Sequence, residues 1–293
     1  MREHKERNRL QGKVVAITGG ARGIGAATAA VFAKANAKVV IGDIDRVAAG
    51  KTAAAIGAGV KALALDVADS SSFSTFLDEV QAQHGPLDVL INNAGIMPLS
   101  RAAEEPGTTT ARIIAVNLQG VIHGCKQALL RMKPRGSGHI VNVASIAAKV
   151  PFPGAATYAA SKAGVVAYSD ALRAELRGSG IDVSCVLPGI IDTELATGIA
   201  VRGFDPIAPD EVARTLLDVV EHPRFEVFVP RQAGIVLKAT SLGGRRLSEV
   251  LQRALHADTP MLEAIGTPQR ANYEKRARQR PSEQMRTQQK ENP

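Results

Sequence analysis

The 293-residue chain has no tryptophan, three tyrosines and seven phenylalanines, so aromatics make up only 3% of it. Proteins that stack bases do so on aromatic faces, and this chain has little from which to build such a platform. Its core must come from Ala, Val, Ile and Leu. Cysteine is scarce as well. Cys125 and Cys185 both sit in apolar runs, too few for a disulfide framework and placed as small core hydrophobes of a reducing compartment. No segment approaches the roughly 20 apolar residues that cross a bilayer. Met1–Gln11 is charged where a secretory leader is apolar, so the expectation is a cytoplasmic protein. The histidines (His4, His84, His123, His139, His222, His256) fall at no ligand spacing and join no cysteine cluster, so no metal site is expected.

The net charge of +8 raises the question of a nucleic-acid or membrane partner. Its distribution answers against the main body. Residues 12–230 hold 20 basic and 20 acidic side chains. The excess lies at the ends, half of it in residues 269–293, where seven basic groups face three acidic ones. A basic appendage is a solvated tail or a surface anchor, and nucleic acid is not an expected partner.

Short β-branched runs alternate with Ala-rich amphipathic stretches. Val14–Thr18, Lys38–Gly42, Lys61–Leu65, Asp88–Ile91, His139–Ala144, Asp182–Leu187 and Glu226–Val229 read as strands. Gly23–Ala35, Arg46–Ile56, Ser71–His84, Thr109–Lys133, Tyr158–Arg177 and Pro209–Glu221 read as helices. Such alternation predicts an α/β fold, a doubly wound parallel seven-stranded sheet with helices on both faces. Beyond Pro230 the strand signal stops. Leu242–Ala257 and Pro260–Arg280 read as appended helices, giving a catalytic unit over residues 1–230, a helical extension over 231–280 and a Gln-rich disordered tail over 281–293.

Thr18-Gly19-Gly20-Ala21-Arg22-Gly23-Ile24-Gly25 follows the first strand and opens a helix. A tight strand-to-helix turn needs positive φ, and a pyrophosphate needs bare backbone N–H groups at a helix N-terminus, so glycine suits both. A turn without a ligand needs glycine too; the position between strand and helix is what favours a dinucleotide. Asp43 lies 18 residues past Gly25, near the spacing of a carboxylate that grips the adenosine ribose, with Asp45 as the fallback. A carboxylate there repels a 2′-phosphate and favours NAD over NADP, whereas Arg22 argues the other way. Asp66-Val67 ends the third strand and serves either the adenine or a turn.

Ser145 ends the fifth strand, and Tyr158 and Lys162, four residues apart, share one face of the next helix. Taking a hydride from an alcohol carbon requires removing the hydroxyl proton as well. A tyrosine of pKa about 10 is a poor base at neutral pH. An ammonium about 4 Å away in an effective dielectric of about 20 supplies roughly 4 kcal/mol, or about three pKa units. Lys162, helped by an oxidised nicotinamide, is thus expected to make Tyr158 a phenolate, with Ser145 bonding the substrate oxygen. With Thr18–Gly25, Asn92-Asn93-Ala94-Gly95, Asn117, Pro188-Gly189 and Thr193 in order, the chain from about Gln11 to Val229 closely resembles the short-chain dehydrogenase/reductase family.

That resemblance implies a Rossmann-like NAD-binding fold and further roles. Asn117 holds a water that relays protons through Lys162. Lys162 bonds the nicotinamide ribose, Asn93, Ala94 and Gly95 flank the cofactor, and Pro188, Gly189, Ile191 and Thr193 fix its carboxamide end. Gly19, Arg22, Gly23, Ile24, Gly25 and Asp43, with Asp66 and Val67, serve the adenosine and phosphates. Family members assemble as homodimers or homotetramers. The ending Phe228-Val229-Pro230-Arg231 and the stretch Ala148–Pro153 resemble the retinol and hydroxysteroid dehydrogenase branch. With Ile96, Met97, Leu99, Ile146, Val150, Phe152, Pro153, Ile190 and Leu195 as an apolar pocket wall, this implies a small lipophilic alcohol or carbonyl substrate. The stripe Leu242, Leu247, Val250, Leu251 and Leu255 docks on its own domain or makes weak peripheral membrane contact. Two alternatives stand: an NADP-dependent carbonyl reductase, and a non-catalytic dinucleotide sensor with a polyanion-binding tail.

Overall fold

The computed structural model describes residues 10–199, 205–235 and 259–279. Seven strands form one sheet: β1 (Val14–Thr18), β2 (Lys38–Asp43), β3 (Lys61–Ala64), β4 (Val89–Asn92), β5 (Gly138–Val143), β6 (Ile181–Pro188) and β7 (Glu226–Val229). Their order is β3-β2-β1-β4-β5-β6-β7, with every neighbouring pair parallel. This is the doubly wound α/β architecture the alternation predicts, with all seven strands within a residue or two of their expected bounds.

The strands are apolar along their length because both faces are covered. Val14 and Ala16 of β1 face one core layer with Phe73, Leu77, Cys125 and Val165. Val15 and Ile17 face the other with Phe32, Ala49 and Leu216. The helices behind the first layer are α3 (Ser70–His84), α5 (Gly120–Met132) and α6 (Ala156–Glu175); behind the second lie α1 (Gly23–Lys34), α2 (Arg46–Ile56) and α7 (Pro209–Glu221). Local chemistry starts several of them. Asp45 caps α2 by accepting from Ala48 N at 2.9 Å, and Asp69 caps α3 by accepting from Ser71 N at 2.8 Å. Proline at the first position and two acids in the first turn open α7.

Two expected helices differ. The Thr109–Lys133 helix is in fact α4 (Gly107–Ile114), a widened π-type turn over Ala115–Gln119, and α5. Asn117, fully buried in that turn, points its carboxamide at the backbone of Ile96 and at Ser161, and such bulges gather at functional positions. The Pro260–Arg280 helix is broken into α8 (Pro260–Glu263), a short turn over Pro268–Arg270, and α9 (Ala271–Arg278). Gly266 takes φ +71° and Pro268 lacks the N–H a continuing helix needs. The Leu242–Ala257 helix, its leucine stripe and the tail over 281–293 lie outside the described residues.

β1 and β4 are neighbours whose connections leave in opposite directions, so a crevice opens beyond their carboxyl ends. A cleft lined by Gly19, Asn93, Ala94 and Gly95 lies there.

Candidate active site

The end of β1 is tied to the end of β4. Thr18 Oγ1 accepts from the backbone N–H groups of Asn93 and Ala94, each at 3.0 Å, and Asn93 Nδ2 donates to the carbonyls of Thr18 (2.9 Å) and Gly19 (3.2 Å). The packing around these struts leaves no room for a side chain at Gly19 or Gly25. Gly19 holds φ +68°, and a Cβ there would stand 2.8 Å from Ala94 Cα. A Cβ on Gly25 would stand 2.1 Å from Gly19 O, so α1 begins directly against the turn. The bare backbone at a helix N-terminus is the cradle that a pyrophosphate needs.

Asp43 ends β2 beside this turn. Its carboxylate accepts from Ala21 N and Asp45 N, each at 3.0 Å. Burial raises its pKa, and those two N–H groups pull against the rise. Arg22 pairs with Asp45 at 2.6 Å.

Across the cleft, Ser145 leaves β5 with its Oγ held by Ala147 N at 3.1 Å. Tyr158 and Lys162 come from the first turns of α6, both buried. The Ser145 hydroxyl donates to Pro188 O at 3.5 Å. Lys162 Nζ donates to Val143 O at 2.9 Å and lies 5.9 Å from the Tyr158 ring centroid. Burial pushes Tyr158 up, with the Ser145 side chain pulling the other way, and pushes Lys162 down to about 8. The protein alone therefore does not lower the tyrosine as the lysine argument expects. Desolvation penalises both charged forms, and the ammonium is spent on a carbonyl as well as on the ring. Asn117 flanks the same place: a Cβ built on Gly95 would be 3.4 Å from Lys162 Nζ and 3.5 Å from Asn117 Oδ1.

Gly19, Gly23, Asp43, Ser145, Tyr158 and Lys162 line one open cleft of about 250 Å³. Of the expected site residues, it brings together Gly19, Arg22, Gly23, Ile24, Asp43, Asn93, Ala94, Gly95, Ser145, Tyr158, Lys162, Pro188, Gly189, Ile191 and Thr193. Gly25 and Asn117 stand behind the lining. Asp66 forms a turn, accepting from Ala68 N at 3.0 Å, and Val67 is buried with its carbonyl against His123 Nδ1 at 3.1 Å. Of the expected apolar wall, Met97, Ile146, Phe152, Ile190 and Leu195 line the cleft, whereas Ile96, Leu99, Val150 and Pro153 do not. Sequence reasoning missed Ile199, Met261 and Tyr273. The last two belong to the segment after β7, and no spacing in the sequence joins them to residues more than 100 positions earlier.

Comparison with known proteins agrees with this geometry. Residues 13–201 match the family model described as short chain dehydrogenase. The chain is 41% identical over 202 residues to the probable oxidoreductase EphD of Mycobacterium tuberculosis, a stretch that is 68% of this chain and 34% of that protein. It thus spans about a third of that relative's length. It is 37% identical over 219 residues to the D-threitol dehydrogenase of Mycolicibacterium smegmatis, covering 70% of this chain and 84% of that one. A short chain dehydrogenase/reductase from Burkholderia phymatum, solved in complex with NAD, superposes with a TM-score of 0.73 at 25% identity over 78% of this chain and 92% of that one. The fold and site define a dinucleotide-binding α/β protein. The chain belongs to the short-chain dehydrogenase family.

That family binds nicotinamide dinucleotide, and the residues present fit it. The turn offers backbone with no room for a Cβ at Gly19 or Gly25, Asp43 offers a carboxylate beside it, and the cleft runs on to Tyr158 and Lys162.

Proposed function

We propose that the chain is an NAD-dependent oxidoreductase interconverting a lipophilic secondary or long-chain alcohol and its carbonyl compound, with Tyr158 as general base and, in reverse, general acid. The observation that carries this reading is the convergence of Ser145, Tyr158 and Lys162 on the cleft that also holds the glycine turn and Asp43.

When bound, the dinucleotide supplies the hydride acceptor, or the donor in reverse. Tyr158 Oη takes the hydroxyl proton as the carbonyl forms. Ser145 Oγ donates to the same oxygen and stabilises the charge growing there. Lys162 keeps positive charge under the Tyr158 ring and favours its ionised form. Asn117 holds the Gly95–Ile96 backbone against α6 beside Lys162, and in this reading it holds a water that relays protons through Lys162. Gly19, Arg22, Gly23, Ile24, Gly25, Asp43, Asp66 and Val67 serve the adenosine and phosphates. Asn93, Ala94, Gly95, Pro188, Gly189, Ile191 and Thr193 serve the nicotinamide end.

NAD is the preferred cofactor because the Asp43 carboxylate would meet a 2′-phosphate with like charge, while Arg22 is already paired with Asp45. The apolar wall of Met97, Phe152, Ile190, Leu195, Ile199 and Met261 supports a lipophilic substrate. The relative named for D-threitol acts on a polyol, and a polyol would find few partners on this wall. The active form is a homodimer or homotetramer, checked by sedimentation at micromolar concentration, where a monomer would contradict it.

The test is the absorbance of reduced nicotinamide, with NAD and then NADP, over steroid, retinoid, long-chain and sugar alcohols. Turnover of an apolar alcohol with NAD, lost in Tyr158→Phe, is the expected result. Turnover of sugar alcohols alone would sink the lipophilic reading and keep the mechanism. No turnover together with no cofactor binding would sink both.

A further inference from the structure

The cleft contains a second tyrosine that the proposed reaction does not use. Tyr273, on α9, lines the same cavity as Tyr158. Its hydroxyl oxygen accepts a hydrogen bond from Met97 N at 2.7 Å. A phenol also carries a proton to give, and among the described residues no acceptor takes it. Burial pushes the Tyr273 pKa well above the ordinary tyrosine range, and ionisation of Tyr158 would push it further. Tyr273 therefore stays a donor under conditions where Tyr158 must act as a base.

The ring is held firmly. Arg270, with no exposed surface, lies 5.0 Å from its centroid. The Arg270 guanidinium donates to the carbonyls of Met97 (2.9 Å), Leu195 (3.0 Å) and Thr197 (2.9 Å) and to Glu274 (3.1 Å). Glu274 in turn accepts from Leu99 N at 3.1 Å. The α9 segment is thus bound to both loops that frame the substrate end, and a donor so anchored is preorganised. Its neighbours in the wall, Met97, Leu195, Ile199 and Met261, are apolar. A single placed polar group in an apolar wall orients a ligand, and an unspent buried donor favours a ligand that accepts from it. The reacting oxygen already has its donor in Ser145 and its base in Tyr158, so the Tyr273 proton is left for another oxygen.

We propose that Tyr273 is a specificity-determining residue whose hydroxyl donates to a second, acceptor oxygen of the substrate, so that the preferred substrate is an apolar body bearing both the reacting alcohol or carbonyl and a further carbonyl or ether oxygen. This rests on the reading of Tyr158 given above and deepens it.

The chain has three tyrosines, so the full protein labelled with carbon-13 at tyrosine Cζ gives one signal each for Tyr158, Tyr168 and Tyr273, assigned with Tyr168→Phe and Tyr273→Phe. Cyclohexanone and 1,4-cyclohexanedione are titrated in the presence of NAD, which cannot reduce them. Both ketones should move the Tyr158 signal, and the dione alone should move that of Tyr273. The dione should bind roughly tenfold tighter, an advantage that Tyr273→Phe abolishes while cyclohexanone affinity holds. A moving Tyr158 signal with a still Tyr273 signal overturns the proposal and leaves the base assignment standing. So does Tyr273→Phe weakening both ketones equally, since the hydroxyl would then only support Met97. If neither signal moves with either ketone, the proposal and the Tyr158 reading fall together.

Discussion

Tyr158 and Lys162 are both disfavoured in their charged forms by burial, so the site has to hold its charges as a set. Lys162, pushed down to about 8, remains largely cationic at neutral pH and loses that charge as the pH rises through its pKa. Alcohol oxidation needs Tyr158 deprotonated, so its kcat/KM should climb with pH. In Lys162→Met the climb should move to higher pH by about a unit or more, because the ammonium that favours the phenolate is gone. An unshifted profile in that variant would remove Lys162 from the base machinery. Cofactor choice has an equally local test. Arg22 is tied to Asp45 at 2.6 Å. Asp45→Asn should release the guanidinium toward a 2′-phosphate and raise the NADP-to-NAD ratio of kcat/KM by roughly tenfold. No change in that ratio would mean Arg22 plays no part in the discrimination.

The segment α8–α9 is a clasp closed by one buried cation. Arg270 binds three carbonyls on two separate loops and the Glu274 carboxylate, while Arg278 donates to Leu99 O at 2.9 Å and Arg276 pairs with Glu194 at 2.6 Å. Removing one partner of a buried, fully bonded ion pair costs about 3–5 kcal/mol. Arg270→Met should therefore lower Tm by on the order of 10 °C. The clasp touches Met97, Leu99, Leu195 and Thr197 rather than the glycine turn. The same variant should therefore raise the alcohol KM and leave NAD affinity nearly as it was. An unchanged Tm, or a loss of NAD affinity with an unchanged alcohol KM, would contradict the clasp. The π-type turn at Asn117 works in the same way, since an extra residue in one helical turn lets a side chain reach across to Ile96 and Ser161.

The stability of the molecule should depend on acid through His139. It is buried at the start of β5, its Nε2 lies 2.8 Å from Ser184 Oγ, and burial pushes its pKa down to about 4 from an ordinary 6.5. The unfolded chain binds a proton between those two values and the folded one does not. This contribution is therefore fully present above pH 6.5 and is lost as the pH falls toward 4, amounting to on the order of 3 kcal/mol. Denaturant midpoints measured across that window should fall with acid, and His139→Asn should flatten the slope whatever its own baseline stability. A slope that survives the substitution would assign the effect elsewhere.

Period and spacing carried the sheet. Strands buried on both faces are continuous apolar runs, and α/β alternation admits few topologies, so seven parallel strands and the glycine turn are legible in the sequence alone. The pair Tyr158 and Lys162 was legible too, because four residues is a helical repeat and both groups lie on one short element. Other features depend on residues remote in the chain. That Arg22 is neutralised by Asp45, that Asn117 widens a turn to grip Ile96, and that Arg270 draws Tyr273 into a cleft opened by β1 and β4 are contacts across 21 to 173 positions. No local periodicity encodes such meetings. They arise when packing buries groups such as the Asn117 carboxamide and the Arg270 guanidinium and so obliges each to find hydrogen-bond partners.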